Sequence, residues 1–255
     1  MDRLTIIKVG GKVVEESEAL SALLDQLKKI SGNKLLVHGG GSTATVIAEK
    51  LGLETHMVEG RRITDAGMLE VVTMVYGGLL NKKIVAGLQA RGMNAVGLTG
   101  ADFNLIEAHK RPVADIDYGF VGDVDDVNVS ELRLLINENV VPVIAPLTHD
   151  GKGQILNTNA DTIAAELATE LANHYNVYLF YCFEKKGVLT NPEDESSVVY
   201  DLDRELFNKY TREGIISEGM IPKLENGFRA KHKGVKEVLI TNPENISTGR
   251  GTRLV

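Results

Sequence analysis

The sequence predicts an α/β fold, with a mostly parallel open sheet and helices on both of its faces. Three observations carry the prediction. Short, nearly continuous apolar runs alternate with stretches of helical period, the first two runs each open into glycines ahead of a helix, and no repeat, heptad or low-complexity tract competes with that pattern. Runs that are apolar throughout, rather than at alternate positions, suit strands covered on both faces, as in a parallel sheet.

Leu4 to Val9 is the first such strand, β-branched and stopped at Gly10-Gly11. Lys8 is its misfit: an unpaired ammonium between apolar walls costs roughly several kcal/mol, so it needs an anionic partner or a wet crevice. Ligands of open parallel sheets sit beyond the carboxyl ends of the strands, where Lys8 and the glycine pair fall. Lys12 lies past the turn and reads as a solvated surface residue. Glu15 to Ile30 places Ala19, Leu20, Leu23, Leu24, Leu27 and Ile30 at helical spacing and stops at Ser31-Gly32-Asn33. Leu35 to Val37 is a second strand, running into His38-Gly39-Gly40-Gly41-Ser42, and Thr43 to Leu51 returns as a helix.

Gly52 to Thr64 reads as a polar hairpin or loop, Asp65 to Arg91 as a long helical region weakened at Gly77-Gly78, and Ala95 to Leu98 as a strand. From Thr99 to Val129 the pattern degrades into short pieces, with Leu105 to Ala108 and Gly119 to Gly122 strand-like; so long a stretch in a compact chain reads as hairpins lying over a site. Ser130 is the expected cap of a helix to Asn139, Val140 to Ala145 is a strand, and a turn-rich stretch leads to Asn157. Asn159 then caps a helix from Ala160 to His174. Val177 to Cys182 opens a second α/β half, continued by helices near Leu206 to Glu213 and Pro222 to Lys233, the strand Glu237 to Ile240, and an edge strand in Gly249 to Val255.

Composition narrows the class. The 255 residues can bury a sizeable core, and a net charge of -7 argues against a general nucleic-acid binder. The single cysteine, Cys182, excludes an internal disulfide framework and a cysteine zinc site, which fits a reducing compartment. The six histidines show no ligand spacing, so no metal site built from protein alone is expected. No apolar leader follows Met1-Asp2-Arg3 and no stretch looks apolar for long enough to cross a bilayer, so a cytoplasmic chain with no membrane partner is expected.

Each candidate site residue has a plain structural explanation beside a functional one. Gly10-Gly11 and Gly39-Gly40-Gly41 could be simple turns, but two such loops on consecutive strands favour backbone N–H groups turned toward a phosphate or carboxylate. Neither fits the Walker pattern. Gly39 to Ala44 fits a relaxed dinucleotide fingerprint with Glu59 near the acidic position, which keeps an NAD-dependent oxidoreductase open, and Ser42 falls in an incomplete nucleophile elbow. Asn159 is explained by capping and Asp161 by the helix dipole, whereas Asn157 is explained by neither. Pro222 suits the start of a helix, which puts Lys223 in a first turn where the dipole disfavours cations. Arg61-Arg62 could hold a carboxylate through a guanidinium fork.

Taken in order, Lys8-Val9-Gly10-Gly11, His38-Gly39-Gly40-Gly41, Gly60-Arg61-Arg62-Ile63-Thr64, Asn157 to Asp161, Gly219-Met220-Ile221-Pro222-Lys223 and Gly249-Arg250-Gly251-Thr252 resemble the amino acid kinase family across essentially the whole chain. The resemblance implies a three-layer αβα sandwich, with residues 1–175 binding an acyl amino acid and dimerising and residues 176–255 binding ATP. It implies ATP-dependent phosphorylation of the γ-carboxylate of an N-acylglutamate in arginine biosynthesis, by a cytoplasmic homodimer, with Mg²⁺ carried by the nucleotide. By the same resemblance Lys8 and Lys223 stabilise the transferring phosphoryl group and Asp161 holds both lysines. Gly10, Gly11, Gly40 and Gly41 supply backbone donors, Arg62 and Asn157 bind the acylglutamate along with Gly40 and Gly41, and Glu184 joins Lys223 on the nucleotide.

Two departures from the family pattern carry expectations of their own. Phe183-Glu184-Lys185-Lys186-Gly187 stands where an Asp-Val-x-Gly pattern is usual, which admits a catalytically weak relative that senses an acyl amino acid. Arg61 stands where an apolar residue is common, so an additional carboxylate could be read there, and N-succinyl-L-glutamate stands beside N-acetyl-L-glutamate as a substrate. Arginine-inhibited members carry a segment ahead of the first strand; none is seen here, so insensitivity to arginine is expected.

Overall fold

The computed structural model describes residues 1–58, 61–216 and 219–255. In chain order its elements are β1 (Arg3–Val9), α1 (Gly11–Glu15), α2 (Ser17–Leu27), β2 (Asn33–His38), α3 (Gly41–Lys50), β3 (Met57–Val58), β4 (Arg61–Arg62), α4 (Ala66–Val72), a π-helical segment (Thr73–Leu80) and α5 (Asn81–Gln89). There follow β5 (Ala95–Leu98), β6 (Ile106–Lys110), β7 (Gly122–Val127), α6 (Ser130–Asn137), β8 (Val141–Ile144), β9 (Leu147–His149), β10 (Ile155–Asn157) and α7 (Ala160–Leu171). The last part comprises β11 (Asn176–Cys182), β12 (Asp201–Leu202), α8 (Arg204–Arg212), α9 (Ile221–His232), β13 (Glu237–Thr241) and β14 (Thr252–Leu254).

One eight-stranded sheet runs β12-β14-β13-β11-β1-β2-β8-β5, parallel except where β14 meets β13. Its faces bury separate cores. Leu4, Ile6, Leu35 and Val37 point to the side covered by α7 and α9, while Ile7, Val9 and Leu36 point to the side covered by α2, α3 and the long helical run. Alternation along β1 therefore puts Lys8 on the α7 side and leaves an αβα sandwich around the sheet. β1 and β11 pair along seven residues, so the boundary at residue 176 falls between α7 and a strand of the same sheet. A smaller sheet, β10-β9-β6-β7, grows from the loops that leave the carboxyl ends of β5 and β8, and its β6–β7 hairpin lies within the stretch 99–129.

Several expectations shift. The first helix begins at Gly11, directly after the strand, and Lys12 lies in it with an exposed side chain 3.5 Å from Glu184. Gly77-Gly78 do not interrupt the long helix; they sit in its π-helical segment, which takes up an extra residue per turn. The whole run Ala66–Gln89 is long and apolar enough to cross a bilayer by length and composition, contrary to expectation. It buries Met68, Val71, Val72, Tyr76, Leu80, Ile84 and Leu88 in the second core instead.

Ser130 does not cap its helix: Val129 is the cap residue, and Asn128 Oδ1 accepts from the Ser130 N–H at 3.2 Å. The helix after Thr64 is capped by Asp65, whose carboxylate accepts from the Met68 N–H. The turn-rich stretch before Asn157 contains the β9–β10 hairpin, and the strand-like piece at 119–122 lies mostly before β7. β14 is an interior strand between β12 and β13; the edge is β12, which periodicity did not show because it is two residues long.

Candidate active site

Lys8 and Lys223 meet at one carboxylate. Lys8 Nζ lies 2.8 Å from Asp161 Oδ1, and Lys223 Nζ lies 3.0 Å from Oδ2. The Asp161 side chain is 6% exposed, against 9% for Lys8 and 25% for Lys223. Burial alone would push the Asp161 carboxyl up, but the two ammonium charges outweigh it and hold it below the usual carboxylate range. Asn159 fixes where Asp161 stands, since its side-chain oxygen accepts from the N–H groups of Asp161 and Thr162 and so sets the first turn of α7. Tyr181, beside Lys8 in the sheet, donates its hydroxyl to the Asp161 carbonyl at 3.3 Å.

The two glycine loops lie against each other. The Gly10 N–H bonds the Cys182 carbonyl at 2.8 Å and the Gly39 N–H bonds the Val9 carbonyl at 3.0 Å, which ties both loops to the ends of neighbouring parallel strands. A Cβ on Gly11 would come 3.2 Å from the Gly40 nitrogen. Gly40 could not carry one at all: its φ is +155°, and a Cβ there would come 2.1 Å from Leu80 Cδ1. The N–H groups of Gly11 and Gly40 find no acceptor among the described residues.

The start of α3, in contrast, already holds an anion. Glu15 Oε1 accepts from the Thr43 N–H at 2.8 Å. Arg62 is buried against the same turn, where its Nη2 donates to the Gly41 carbonyl at 2.8 Å and to Thr45 Oγ1 at 2.7 Å. Asn157 donates from Nδ2 to Thr64 Oγ1 at 3.0 Å, two residues along the chain from Arg62. Arg61 is exposed. Glu59 and Gly60 of the sequence pattern lie outside the described residues.

On the β11 side, Glu184 is half exposed and its one ionic partner among the described residues is Lys12. The two unusual lysines are engaged by a neighbouring loop: Lys185 Nζ donates to the Pro192 carbonyl at 3.1 Å, and Lys186 Nζ lies 2.6 Å from Glu195. Pairing to Glu195 pushes the Lys186 ammonium upward, so it stays charged. Lys223 Nζ also donates to the Gly219 carbonyl at 3.4 Å, and its helix α9 is tied to α7 by a ladder in which Asn226 reaches Thr162 at 3.4 Å and Arg229 reaches Glu166 at 2.7 Å. Glu15, Thr45, Glu166 and Arg229 were not singled out from the sequence. Each acts across elements far apart in the chain, and only Tyr181, a polar group within an apolar strand, carries a local signal. Among the described residues no group of three or more His, Cys, Asp or Glu side chains is arranged to hold a metal ion.

Two cations on one buried carboxylate, set beside paired backbone donors at the carboxyl end of a parallel sheet, describe an α/β protein built to handle a transferring anion. Comparison with known proteins agrees. The amino acid kinase family model matches residues 3–242. The acetylglutamate kinase of Parabacteroides distasonis is 59% identical over 254 residues, covering 100% of both chains, and that of Bacteroides thetaiotaomicron is 60% identical over 253 residues, covering 99% of this chain and 98% of its own. A Streptococcus mutans protein of 25% identity superposes with a TM-score of 0.82 over 99% of this chain and 98% of its own. The carbamate kinase of Giardia lamblia, at 14% identity and a TM-score of 0.67, shares the fold over 99% of this chain and 98% of its own. The chain belongs to the amino acid kinase family.

Proposed function

We propose that this chain is a kinase that transfers the γ-phosphoryl group of MgATP to the side-chain carboxylate of N-acetyl-L-glutamate, a step of arginine biosynthesis. Full-length identity of about 60% to proteins named acetylglutamate kinase supports the activity. The observation that carries the mechanism is the Lys8–Asp161–Lys223 cluster.

A γ-carboxylate oxygen attacks the γ-phosphorus, the new O–P bond forms as the bond to the ADP oxygen breaks, and no proton has to move because the attacking carboxylate is already ionised at neutral pH. The difficulty is electrostatic: two anions must be brought together and the charge of the transferring group spread. Lys8 and Lys223 neutralise that charge, while Asp161 keeps both ammonium groups in place without matching their total charge. The N–H groups of Gly10, Gly11, Gly40 and Gly41 are the backbone donors, although the Gly10 N–H is spent on Cys182 here, so Gly11 and Gly40 are the better placed. Arg62 and Asn157 hold the acylglutamate beside Gly40 and Gly41, with Arg62 exchanging the Gly41 carbonyl for a substrate carboxylate. Glu184 and Lys223 face the nucleotide, which brings its own Mg²⁺.

In this reading residues 1–175 hold the acyl amino acid and residues 176–255 the nucleotide, on one continuous sheet. We also assign the chain to the cytoplasm as a homodimer; exposed Met74 and Leu79 on the long helical run supply an apolar face that a second copy would cover. A second substrate, N-succinyl-L-glutamate, is supported by Arg61, which stands exposed next to the buried Arg62, where its guanidinium would meet a second carboxylate. Trapping the acyl phosphate as its hydroxamate, with N-acetyl-L-glutamate, N-succinyl-L-glutamate, L-glutamate and L-aspartate as acceptors, tests both. The acylated glutamates should turn over and the free amino acids should not. Hydroxamate that forms equally well with free L-glutamate would sink the assignment.

A further inference from the structure

His38 takes no part in the chemistry above, yet it is completely buried at the base of the second glycine loop, on the sheet face opposite Lys8. Its tautomer can be derived from its neighbours. Asn81, the first residue of α5, donates from Nδ2 to the Val143 carbonyl at 2.9 Å, and its Oδ1 accepts from Lys82 Nζ at 3.2 Å. A carbonyl can only accept and an ammonium can only donate, so the orientation of the Asn81 amide is fixed. The second hydrogen of Nδ2 then points at His38 Nε2, 3.3 Å away, which must be the unprotonated ring nitrogen. The ring proton is on Nδ1, and Nδ1 donates to the Gly39 carbonyl at 2.9 Å.

Holding that carbonyl orients the next N–H. In a trans peptide the carbonyl of one residue and the N–H of the next point in opposite directions. With the Gly39 oxygen turned onto the imidazole, the Gly40 N–H points away from it, on the side where Gly11 approaches the Gly40 nitrogen. That N–H has no acceptor among the described residues, and the φ of +155° that presents it is open only to glycine.

We propose that His38 is a positioning residue for phosphoryl transfer: held as its Nδ1–H tautomer by Asn81, it locks the Gly39–Gly40 peptide so that the Gly40 N–H is aimed at the transferring phosphate. The proposal rests on the kinase reading and extends it to a group that does not touch the substrate. Its effect should appear in kcat more than in KM, because a donor fixed in advance contributes most where charge develops.

Two substitutions separate positioning from packing. The side-chain nitrogen of asparagine can occupy the place of Nδ1, and the terminal amide of glutamine the place of Nε2, so His38→Asn keeps the donor to Gly39 and His38→Gln keeps only the contact with Asn81. With N-acetyl-L-glutamate and MgATP, His38→Asn should retain kcat within about threefold, whereas His38→Gln should lose about 10²-fold with KM for both substrates changed by less than about threefold. Thermal unfolding of both variants is measured alongside. If the two variants lose kcat equally, or if kcat follows Tm across them, the inference is overturned while the kinase reading stands. A wild-type chain that forms no acyl phosphate overturns both.

Discussion

Lys8 and Lys223 bind the two oxygens of one carboxylate, but they reach it in opposite ways. Lys8 comes from the middle of the sheet, flanked by β2 and β11, its stem walled by the core that α7 covers. Lys223 comes from the first turn of a helix at the rim, is more exposed, and rides on a helix that two side-chain contacts tie to α7. The first has no room to relax and the second does. The cluster thus joins one cation set in the sheet to one that meets solvent.

The most severe way to break the comparison is to remove what the lysines share. Asp161→Asn should cost about 3–5 kcal/mol of stability, because it leaves two ammonium groups facing each other beside a neutral amide, and kcat should fall below detection. Denaturant unfolding together with the hydroxamate assay checks both. Lys8→Ala should cost about 3 kcal/mol of transition-state stabilisation, two to three orders of magnitude in kcat, and wild-type turnover in this variant would rule out its assigned role.

Acid should expose the same asymmetry through His38. Burial pushes its imidazole down to about 4 from 6.5, helped by the Lys8 charge and opposed by the bond to Gly39. The unfolded chain therefore takes up a proton that the folded chain refuses. Stability from this residue is complete above pH 6.5 and falls by about 3 kcal/mol as the pH drops from 6.5 to 4. Denaturant midpoints measured across that window should fall in the wild type and stay flatter in His38→Asn. In an NMR titration Lys8→Met should raise the His38 midpoint, and Lys223→Met should leave it in place.

Smaller effects come from the adjustable side. Lys223→Ala should lower kcat by one to two orders of magnitude, about 1.4–2.8 kcal/mol, less than Lys8→Ala because solvent can replace part of its charge. Glu166→Arg and Arg229→Glu should each cost about 1 kcal/mol in kcat/KM, and the double exchange should restore most of it. If the double exchange behaves as the sum of the singles, the ladder does not place Lys223.

How much of this was legible depends on range. Lys8 and Lys223 stood out because each breaks a local rule, a charge in an apolar strand and a cation at a helix start, and the structure places both on Asp161. The alternation of elements gave the parallel sheet and its two faces because apolar periodicity is a local property of the chain. What was hidden depends on partners distant in sequence: Glu15 seated on the turn of α3, Thr45 under Arg62, β14 drawn into the sheet interior. Ser130 does not act as the expected cap because Asn128, two residues earlier, already accepts from its N–H.

One consequence of the Lys8–Asp161–Lys223 cluster lies outside the reaction. Two cations share a single carboxylate, so the cluster carries one surplus positive charge at the end of the sheet. Small inorganic anions of tetrahedral shape should therefore act as rivals of ATP. Rates measured in phosphate or sulfate buffer should fall below those in a zwitterionic buffer of equal ionic strength, and raising MgATP should recover them.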